Sequence, residues 1–309
     1  MRHAFIMDPL EGVKPWKDTS YFLMRACAER GHEVCHLDQK DLYAKHDRLY
    51  GHLTWLDILE DGDFPFAAIR SESASMMDID VVWIRTDPPL DRRYFYTTLL
   101  LDLLPETTRV VNRPSGVRNF NEKLAALQFP DLTPQTLVTS DADEIVRFAE
   151  RCGRITVKPI DGFGGKGILF FNAGDPLERI AGAVRDNRHW VIAQEYLTAA
   201  ADGDKRILLL DGEPLGAILR VHADGQELNN MDAGGTPNPS TLSARDLEIC
   251  RALGPALRDQ GLYFAGIDII GGMLIEINVT SPTGLQEMSR FDGVDYHHRI
   301  IEGLERCAS

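Results

Sequence analysis

The chain has 309 residues, of which 44% are hydrophobic and 26% charged, and these ordinary globular values exclude disordered and collagen-like classes. The net charge of −14 disfavours a nucleic-acid binder, and no apolar run approaches the roughly 18 residues of a membrane span. Five scattered cysteines without a C-x-x-C pair favour reduced thiols, and Asp8 interrupts the N-terminus too early for a signal peptide. We therefore expect a cytoplasmic protein without nucleic-acid or membrane partners.

Strand and helix patterns alternate in the first 120 residues. A helix begins at the N-caps Asp18-Thr19-Ser20 and ends at Gly31, and another covers Tyr96 to Leu104. Short apolar runs predict buried strands at residues 4–7, 80–85 and 109–112. This β-α-β order predicts an α/β fold with a doubly wound parallel sheet.

Hairpin patterns follow residue 120. Strands at 154–158 and 168–171 surround a glycine-rich loop, and strands at 205–210 and 215–220 surround the turn signal Asp211-Gly212. A helix over 244–259 precedes two last strands at 264–270 and 274–279. The polar residues 222–243 predict a long loop, which we expect to be a lid that is mobile without ligand.

The stretch "KPIDGFGGKGILFF", from Lys158 to Phe171, contains G-x-G-x-x-G at Gly162, Gly164 and Gly167. A dinucleotide site needs a helix after these glycines, and the β-rich "GILFF" excludes that context. A Walker loop is excluded by spelling, because Gly167 stands where Ser or Thr is needed. A strand–loop–strand that covers ATP phosphates, as in kinases, and a hairpin without any ligand both remain open.

Other residues favour the phosphate interpretation. Lys158 ends the strand that enters the loop, and Lys123 stands in "NEKL" at the start of a predicted helix, so both could neutralise phosphate charge. The segment Gln194-Glu195-Tyr196-Leu197 follows an apolar strand. Its backbone could bind adenine and its carboxylate a ribose. The H-R-D and D-F-G motifs of protein kinases are absent.

Asp268, Glu276 and Asn278 lie in the apolar strands "AGIDIIGG" and "MLIEINVTSP". A buried carboxylate is costly unless it is paired or binds a cation, and Mg²⁺ takes oxygen ligands. Glu276 and Asn278 share a strand face. Asp268 joins that face only if the connection has three residues or the hairpin contains a bulge. We predict this arrangement and a magnesium site; polar residues on the open face of an edge hairpin are the alternative.

Together, "NEKL", "VKPIDGFGGKGI", "AQEYL", "DGDKRILLLDGEPLGAILR" and "GIDIIGGMLIEINVTSP" resemble the bacterial glutathione synthetases, a family of ATP-grasp ligases. The resemblance runs from Met7 to Pro282. It implies an ATP-grasp fold with a Rossmann-like domain at 1–120 and an ATP-grasp domain at 121–309. The latter includes a lid subdomain at about 124–195 and the mobile loop at about 222–243. It also implies a homo-oligomer, a dimer or tetramer.

The resemblance further implies that a carboxylate is phosphorylated by ATP and that an amine then attacks the acyl phosphate. Arg220 would stabilise that intermediate, and one or two Mg²⁺ ions, replaceable by Mn²⁺, would bind Asp268, Glu276 and Asn278. The ATP contacts that it implies are Lys123, Lys158, Gly162, Gly164, Gly165, Gly167, Gln194, Glu195, Tyr196, Leu197, Asp204 and Lys205. The implied substrate contacts are Arg85, Asn230, Ser281, Pro282 and Thr283.

The chain departs from the family pattern on the acceptor side. Leu228-Asn229-Asn230 stands where the family has Arg-Gly-Asn, a second basic position is missing from "GGTPNP", and Thr86 replaces a lysine. Fewer cations should weaken binding of carboxylate substrates. We expect a ligase that joins γ-glutamylcysteine and glycine. A ligase for another acid and amine, and a non-catalytic nucleotide-binding module, are the alternatives.

Overall fold

The computed structural model describes residues 1–60, 62–186, 190–223, 225–226, 228–231 and 234–308. They form three β-sheets with helices packed against them. None of the helices in these ranges is both long and apolar enough to cross a membrane.

The first sheet has seven strands in the order β3-β4-β2-β1-β6-β7, with β5 paired to β4. Its elements are β1 (Arg2–Ile6), α1 (Thr19–Glu29), β2 (Glu33–Leu37), β3 (Leu42–Lys45), β4 (Arg48–Ile58), β5 (Phe66–Ser75), β6 (Val81–Ile84), α2 (Arg92–Leu101), β7 (Arg109–Val111) and α3 (Pro114–Asn119). Strands β2, β1, β6 and β7 are parallel. They confirm the predicted doubly wound sheet.

The antiparallel strands β3, β4 and β5 were not predicted. Strand β5 reads "FAAIRSESAS", and most of its side chains are exposed. It therefore lacks the apolar alternation that identifies a half-buried strand. Its pairing with β4, along nearly its whole length, defines it instead.

The second sheet is a four-stranded antiparallel sheet in the order β10-β9-β11-β8. Its elements are β8 (Thr136–Thr139), α4 (Ala142–Cys152), β9 (Arg154–Pro159), β10 (Leu169–Asn172), α5 (Leu177–Asp186) and β11 (Val191–Glu195). Strands β9 and β10 pair directly and enclose the glycine-rich loop, which confirms the predicted strand–loop–strand.

The third sheet has five antiparallel strands in the order β14-β13-β12-β15-β16. Its elements are β12 (Asp204–Leu210), β13 (Glu213–Val221), β14 (Thr236–Pro239), α6 (Ala244–Asp259), β15 (Phe264–Ile270) and β16 (Met273–Asn278), followed by α7 (Leu285–Asp292) and α8 (Tyr296–Ala308). Strand β14 lies within the segment predicted as one long loop, where it pairs with β13. Residues 224, 227, 232 and 233 of that segment lie outside the described residues, and its mobility stays a prediction.

Asn112, just beyond β7, joins the first sheet to the third. Its Nδ2 donates to the Phe264 and Val279 carbonyls, at 2.7 and 2.8 Å, and its Oδ1 accepts from the Phe264 N–H, at 2.8 Å. The side chain is buried. Asn112 thus fixes the first sheet against the third, beside the cleft that contains the candidate site.

Because Asn112→Ala would leave these buried backbone groups without partners, we expect it to lower the free energy of unfolding by about 3 kcal/mol. Denaturant unfolding measures the change. Asn172→Ala, at an exposed position at the end of β10, is the control and should change stability little. Equal stability of the two variants would contradict this role of Asn112.

Candidate active site

The β15–β16 hairpin brings the two acidic residues together. Its turn is the two-residue Gly271-Gly272, with φ of +56° and +76°, which glycine adopts without strain. A β-bulge then shifts the register, so that Ile269 pairs with Leu274 but Asp268 pairs with Glu276. The predicted arrangement is confirmed, and the bulge rather than a three-residue turn produces it.

Asn278 lies two residues beyond Glu276, on the same strand face. Its Nδ2 donates to Asp268 Oδ2 at 3.4 Å, so its Oδ1 remains available to a ligand. Three oxygen-bearing side chains therefore meet on one face of the hairpin. This oxygen-rich donor set fits a hard divalent cation such as Mg²⁺.

Asp268 is buried and contacts two arginines. Arg206 donates to both carboxylate oxygens, at 2.8 and 2.7 Å, and Arg220 Nη2 lies 3.0 Å from Oδ2. Burial alone would raise the pKa of Asp268, but the two guanidinium groups hold it well below its usual range. Asp268 is therefore an anion at neutral pH.

Arg220 lies between two carboxylates on the third sheet. Its Nε contacts Asp204 Oδ1 at 2.5 Å, because Asp204 and Arg220 are paired across β12 and β13. Burial would lower the pKa of Arg220, but Asp268 and Asp204 raise it above its ordinary value. The guanidinium is thus permanently charged and fixed in place.

The two predicted phosphate lysines lie beside this cluster. Lys123 Nζ is 3.8 Å from Glu276 Oε2 and also donates to the Gly162 carbonyl, so it connects the acidic hairpin to the glycine-rich loop. Lys158 is buried at the end of β9, and burial lowers its pKa to about 8, while Glu276 opposes this shift.

The glycine-rich loop needs its glycines. Gly164, Gly165 and Gly167 have φ of +58°, +79° and +75°, and a Cβ at Gly162 would lie 2.6 Å from Pro159 Cγ. Together with the strands on either side, this is the backbone of a phosphate-covering loop.

A first cavity lies under this loop. All the predicted ATP residues except Gly167 and Lys205 line it: Lys123, Lys158, Gly162, Gly164, Gly165, Gln194, Glu195, Tyr196, Leu197 and Asp204. Ile275, the bulge residue, and Phe170 add an apolar wall. An apolar wall suits a planar base.

Lys205 lies elsewhere. Its Nζ donates to Asp246 Oδ2 at 2.6 Å and to the Thr241 carbonyl at 3.0 Å, at the N-terminal end of α6. Alternation along β12 turns Asp204 and Arg206 toward the cleft and Lys205 away from it. The sequence motif identified the right strand, but the cleft-facing cation next to Asp204 is Arg206.

A second cavity adjoins the first and shares Gly162, Phe163, Gly164, Asn230 and Glu276 with it. All the predicted substrate residues line it: Arg85, Asn230, Ser281, Pro282 and Thr283, together with Arg220 and Asn278. Arg85 holds this wall in place, since Nη2 donates to the Pro282 carbonyl and Nε to Ser20 Oγ, each at 3.0 Å.

Two departures from the family pattern, Leu228 and Thr86, lie in different cavities. Leu228 lines the first cavity, where a Cβ on Gly165 would lie 3.4 Å from Leu228 Cδ1 and 3.2 Å from Asn230 Oδ1. Leu228 and Asn230, from the 222–243 segment, therefore lie next to the glycine-rich loop. Thr86 lines a separate cavity beside Asp87.

The second cavity contains cations that the sequence did not reveal. Arg206, Lys14 and Lys17 line it along with the predicted Arg85 and Arg220. Lys14 and Lys17 precede α1, far from the other site residues in sequence, and no motif spacing could have identified them. The cavity therefore has five cationic side chains in its lining despite the missing arginine, together with the acidic Asp18, Asp87, Glu122 and Glu276.

Three sheets, a glycine-rich hairpin over one cavity and an acidic hairpin between two cavities define an ATP-grasp ligase. The D-cycloserine synthetase DcsG aligns over 99% of both chains with a TM-score of 0.65 and 19% identity. The ATP-grasp ligase PsnB, complexed with a minimal precursor, aligns over 100% of this chain and 99% of its own with a TM-score of 0.66 and 20% identity. At such low identity these similarities support the fold alone.

The chain belongs to the prokaryotic glutathione synthetase family. Residues 1–118 match the family's N-terminal domain, and residues 122–293 match its ATP-grasp domain. The glutathione synthetase of Gloeobacter violaceus is 45% identical, over 98% of this chain and 96% of the relative. That of Agrobacterium fabrum is 40% identical, over 98% of this chain and 96% of the relative. The family consists of ATP-dependent ligases that act on small molecules and use a divalent metal.

Proposed function

We propose that this protein is a glutathione synthetase, which joins the cysteinyl carboxylate of γ-glutamylcysteine to the amine of glycine. The observation that carries the proposal is that a cavity under the glycine-rich loop and a second cavity, whose lining includes Arg85, Arg206 and Arg220, meet at Glu276. A nucleotide in the first would direct its terminal phosphate at an acid in the second. The names of the relatives support this choice of substrates.

The reaction proceeds in two steps. A carboxylate oxygen of the dipeptide attacks the γ-phosphorus of ATP, the bond from that phosphorus to the bridging oxygen breaks, and ADP leaves. The glycine nitrogen then attacks the carbon of the acyl phosphate, loses a proton and expels inorganic phosphate. The amide keeps one oxygen of the original carboxylate, and the phosphate carries away the other.

The residues divide these tasks. Lys123 and Lys158 hold the ATP phosphates, and the loop from Gly162 to Gly167 excludes water above them. The segment from Gln194 to Leu197 holds adenine and ribose. Arg220 stabilises the charge on the acyl phosphate and the transition states on either side of it.

Asp268, Glu276 and Asn278 would hold one or two Mg²⁺ ions, for which Mn²⁺ could substitute. Such an ion neutralises charge on the transferred phosphoryl group.

We also propose a cytoplasmic homo-oligomer. The free thiols of Cys27, Cys35, Cys152 and Cys250 support a reducing compartment. An exposed apolar row on and after α2, formed by Phe95, Tyr96, Leu99 and Leu103, supports self-association.

Lys158 gives the proposed ATP site a pH dependence. Its ammonium group is charged below its pKa of about 8 and neutral above it, so phosphate binding weakens as the pH rises. We expect the KM for ATP to increase several-fold between about pH 7 and about pH 9. Lys158→Met should raise this KM at pH values below about 8, where the wild-type lysine is charged, and remove the trend. A flat wild-type profile would contradict this role.

A ligase for a different acid and amine is the second candidate, favoured by Leu228 and Thr86 at positions where the family has cations. A panel of acids and amines, scored by ADP release, separates the two functions. We expect the greatest stimulation with γ-glutamylcysteine plus glycine. Stimulation by another pair alone would support the second candidate. ATP binding without turnover of any pair would indicate a non-catalytic module.

A further inference from the structure

Away from the two cavities, the described part of the chain contains two groups of three histidine, cysteine or acidic side chains whose donor atoms lie close together. The first group consists of His3, Cys27 and His32, and the second of Glu29, His297 and His298. Donor atoms of this kind are the ligands of transition metals, so each group is a candidate metal site.

The first group already forms a chain of hydrogen bonds. His3 Nδ1 accepts from Trp83 Nε1, at 3.1 Å, and His3 Nε2 lies 3.0 Å from His32 Nδ1. His32 Nε2 in turn lies 3.0 Å from Glu305 Oε1. Burial raises the pKa of the Cys27 thiol, so its sulfur keeps the proton that a metal would displace. This group therefore gives no indication of a missing ligand.

The second group joins the end of α1 to the first turn of α8. Glu29 is the last residue of α1, and His297 and His298 follow the first residue of α8. One carboxylate oxygen of Glu29 and one ring nitrogen of each histidine lie within 4.8 Å of one another. Tetrahedral zinc places its ligand atoms about 3.4 Å apart. Small side-chain movements would therefore bring the three donors around one ion.

His297 gives an independent indication of a ligand. The residue is only 2% exposed, and its ring stacks on Phe22 with the ring centroids 3.8 Å apart. Its Nδ1 is buried and has no hydrogen-bond partner among the residues that the structure describes. A buried polar atom without a partner is costly, and imidazole is the commonest metal ligand. Coordination through this nitrogen would supply the missing partner.

Glu29 and His298 form the outer side of the group. Glu29 Oε2 lies 2.8 Å from His298 Nε2, while Oε1 lies 3.2 Å from Arg25 Nε. A partner of this kind orients a ligating carboxylate. The side chains of Glu29 and His298 are 35% and 26% exposed. An ion can therefore enter from solvent, and His297 closes the inner side.

We propose that Glu29, His297 and His298 form a second metal site, which binds Zn²⁺ with a water molecule as the fourth ligand. Two imidazoles and one carboxylate are a zinc donor set, whereas Mg²⁺ takes oxygen ligands. None of the three residues lines either cavity, so this site is separate from the acidic hairpin. A bound ion would cross-link α1 to α8. The inference does not depend on the proposed function.

Calorimetric titration with Zn²⁺, in the presence of excess Mg²⁺, tests the site. We expect the affinity for Zn²⁺ to be at least about tenfold lower in His298→Gln and in Glu29→Gln than in the wild type. Zn²⁺ should also raise the Tm of the wild type and not of either variant, because an ion that binds only the folded chain stabilises it. Unchanged Tm values without Zn²⁺ show that both variants are folded.

The matched controls are His46→Gln and Glu144→Gln, at exposed positions outside the group. Both should bind Zn²⁺ as the wild type does. Co²⁺ serves as a spectroscopic probe, and the visible absorption of four-coordinate Co²⁺ should appear in the wild type and the controls and be lost in His298→Gln. Equal Zn²⁺ affinity in the wild type and both site variants, or no Zn²⁺ binding by the wild type, would overturn the inference.

Discussion

Glu276→Gln is expected to lower kcat for ligation by about a thousandfold or more. Glu276 faces Asp268 across the hairpin, lies 3.8 Å from Lys123 and borders both cavities. The amide keeps the shape of the side chain but removes the charge that a cation requires. Steady-state ADP release measures kcat, and thermal unfolding confirms that the variant is folded.

The matched control is Glu144→Gln, which removes a carboxylate from an exposed ion pair with Arg147 on α4. It should leave kcat unchanged. If the Glu276→Gln enzyme kept more than about a tenth of the wild-type kcat, the Glu276 carboxylate would not be a ligand of the divalent cation that neutralises the transferred phosphoryl group.

Arg220→Lys is expected to reduce kcat by about a hundredfold while leaving ATP binding nearly intact. The guanidinium contacts Asp204 and Asp268 at the same time, and a single ammonium cannot maintain both contacts and also meet an acyl phosphate. Arg220 lines the second cavity and not the first, so nucleotide affinity should persist.

The control for this variant is Arg147→Lys, from the same exposed pair on α4. Steady-state turnover measures kcat, and a fluorescence titration with ATP measures nucleotide affinity. The two measurements therefore separate an effect on catalysis from an effect on binding. A weaker affinity for ATP with unchanged kcat would contradict the assignment of Arg220 to the acyl phosphate.

The acidic hairpin shows how far the sequence could predict the site. The apolar strands around Asp268 and Glu276 made their pairing predictable, and the alternation of side chains required a bulge or a longer turn. Which of these occurs could not be predicted, because Gly271-Gly272 suits a tight turn and the bulge depends on packing. Ile275 consequently faces the first cavity, which no strand pattern indicated.

Residues assembled by the tertiary fold were harder to predict. Lys205 and Arg206 are adjacent in sequence, and only the register of β12 with β15 decides which of them reaches Asp268. Lys14, Lys17 and Thr19 belong to the first domain but line the same cavity as Asn278. Their contribution depends on how two domains pack, and local sequence contains no signal for that.

Transfer of oxygen from the acid to phosphate tests the central claim most directly. γ-Glutamylcysteine labelled with ¹⁸O in both oxygens of its cysteinyl carboxylate is incubated with glycine and ATP, and both products are analysed by mass spectrometry. An acyl phosphate requires one labelled oxygen in the inorganic phosphate and one in the new amide of glutathione. Unlabelled phosphate, or the absence of glutathione, would contradict the account.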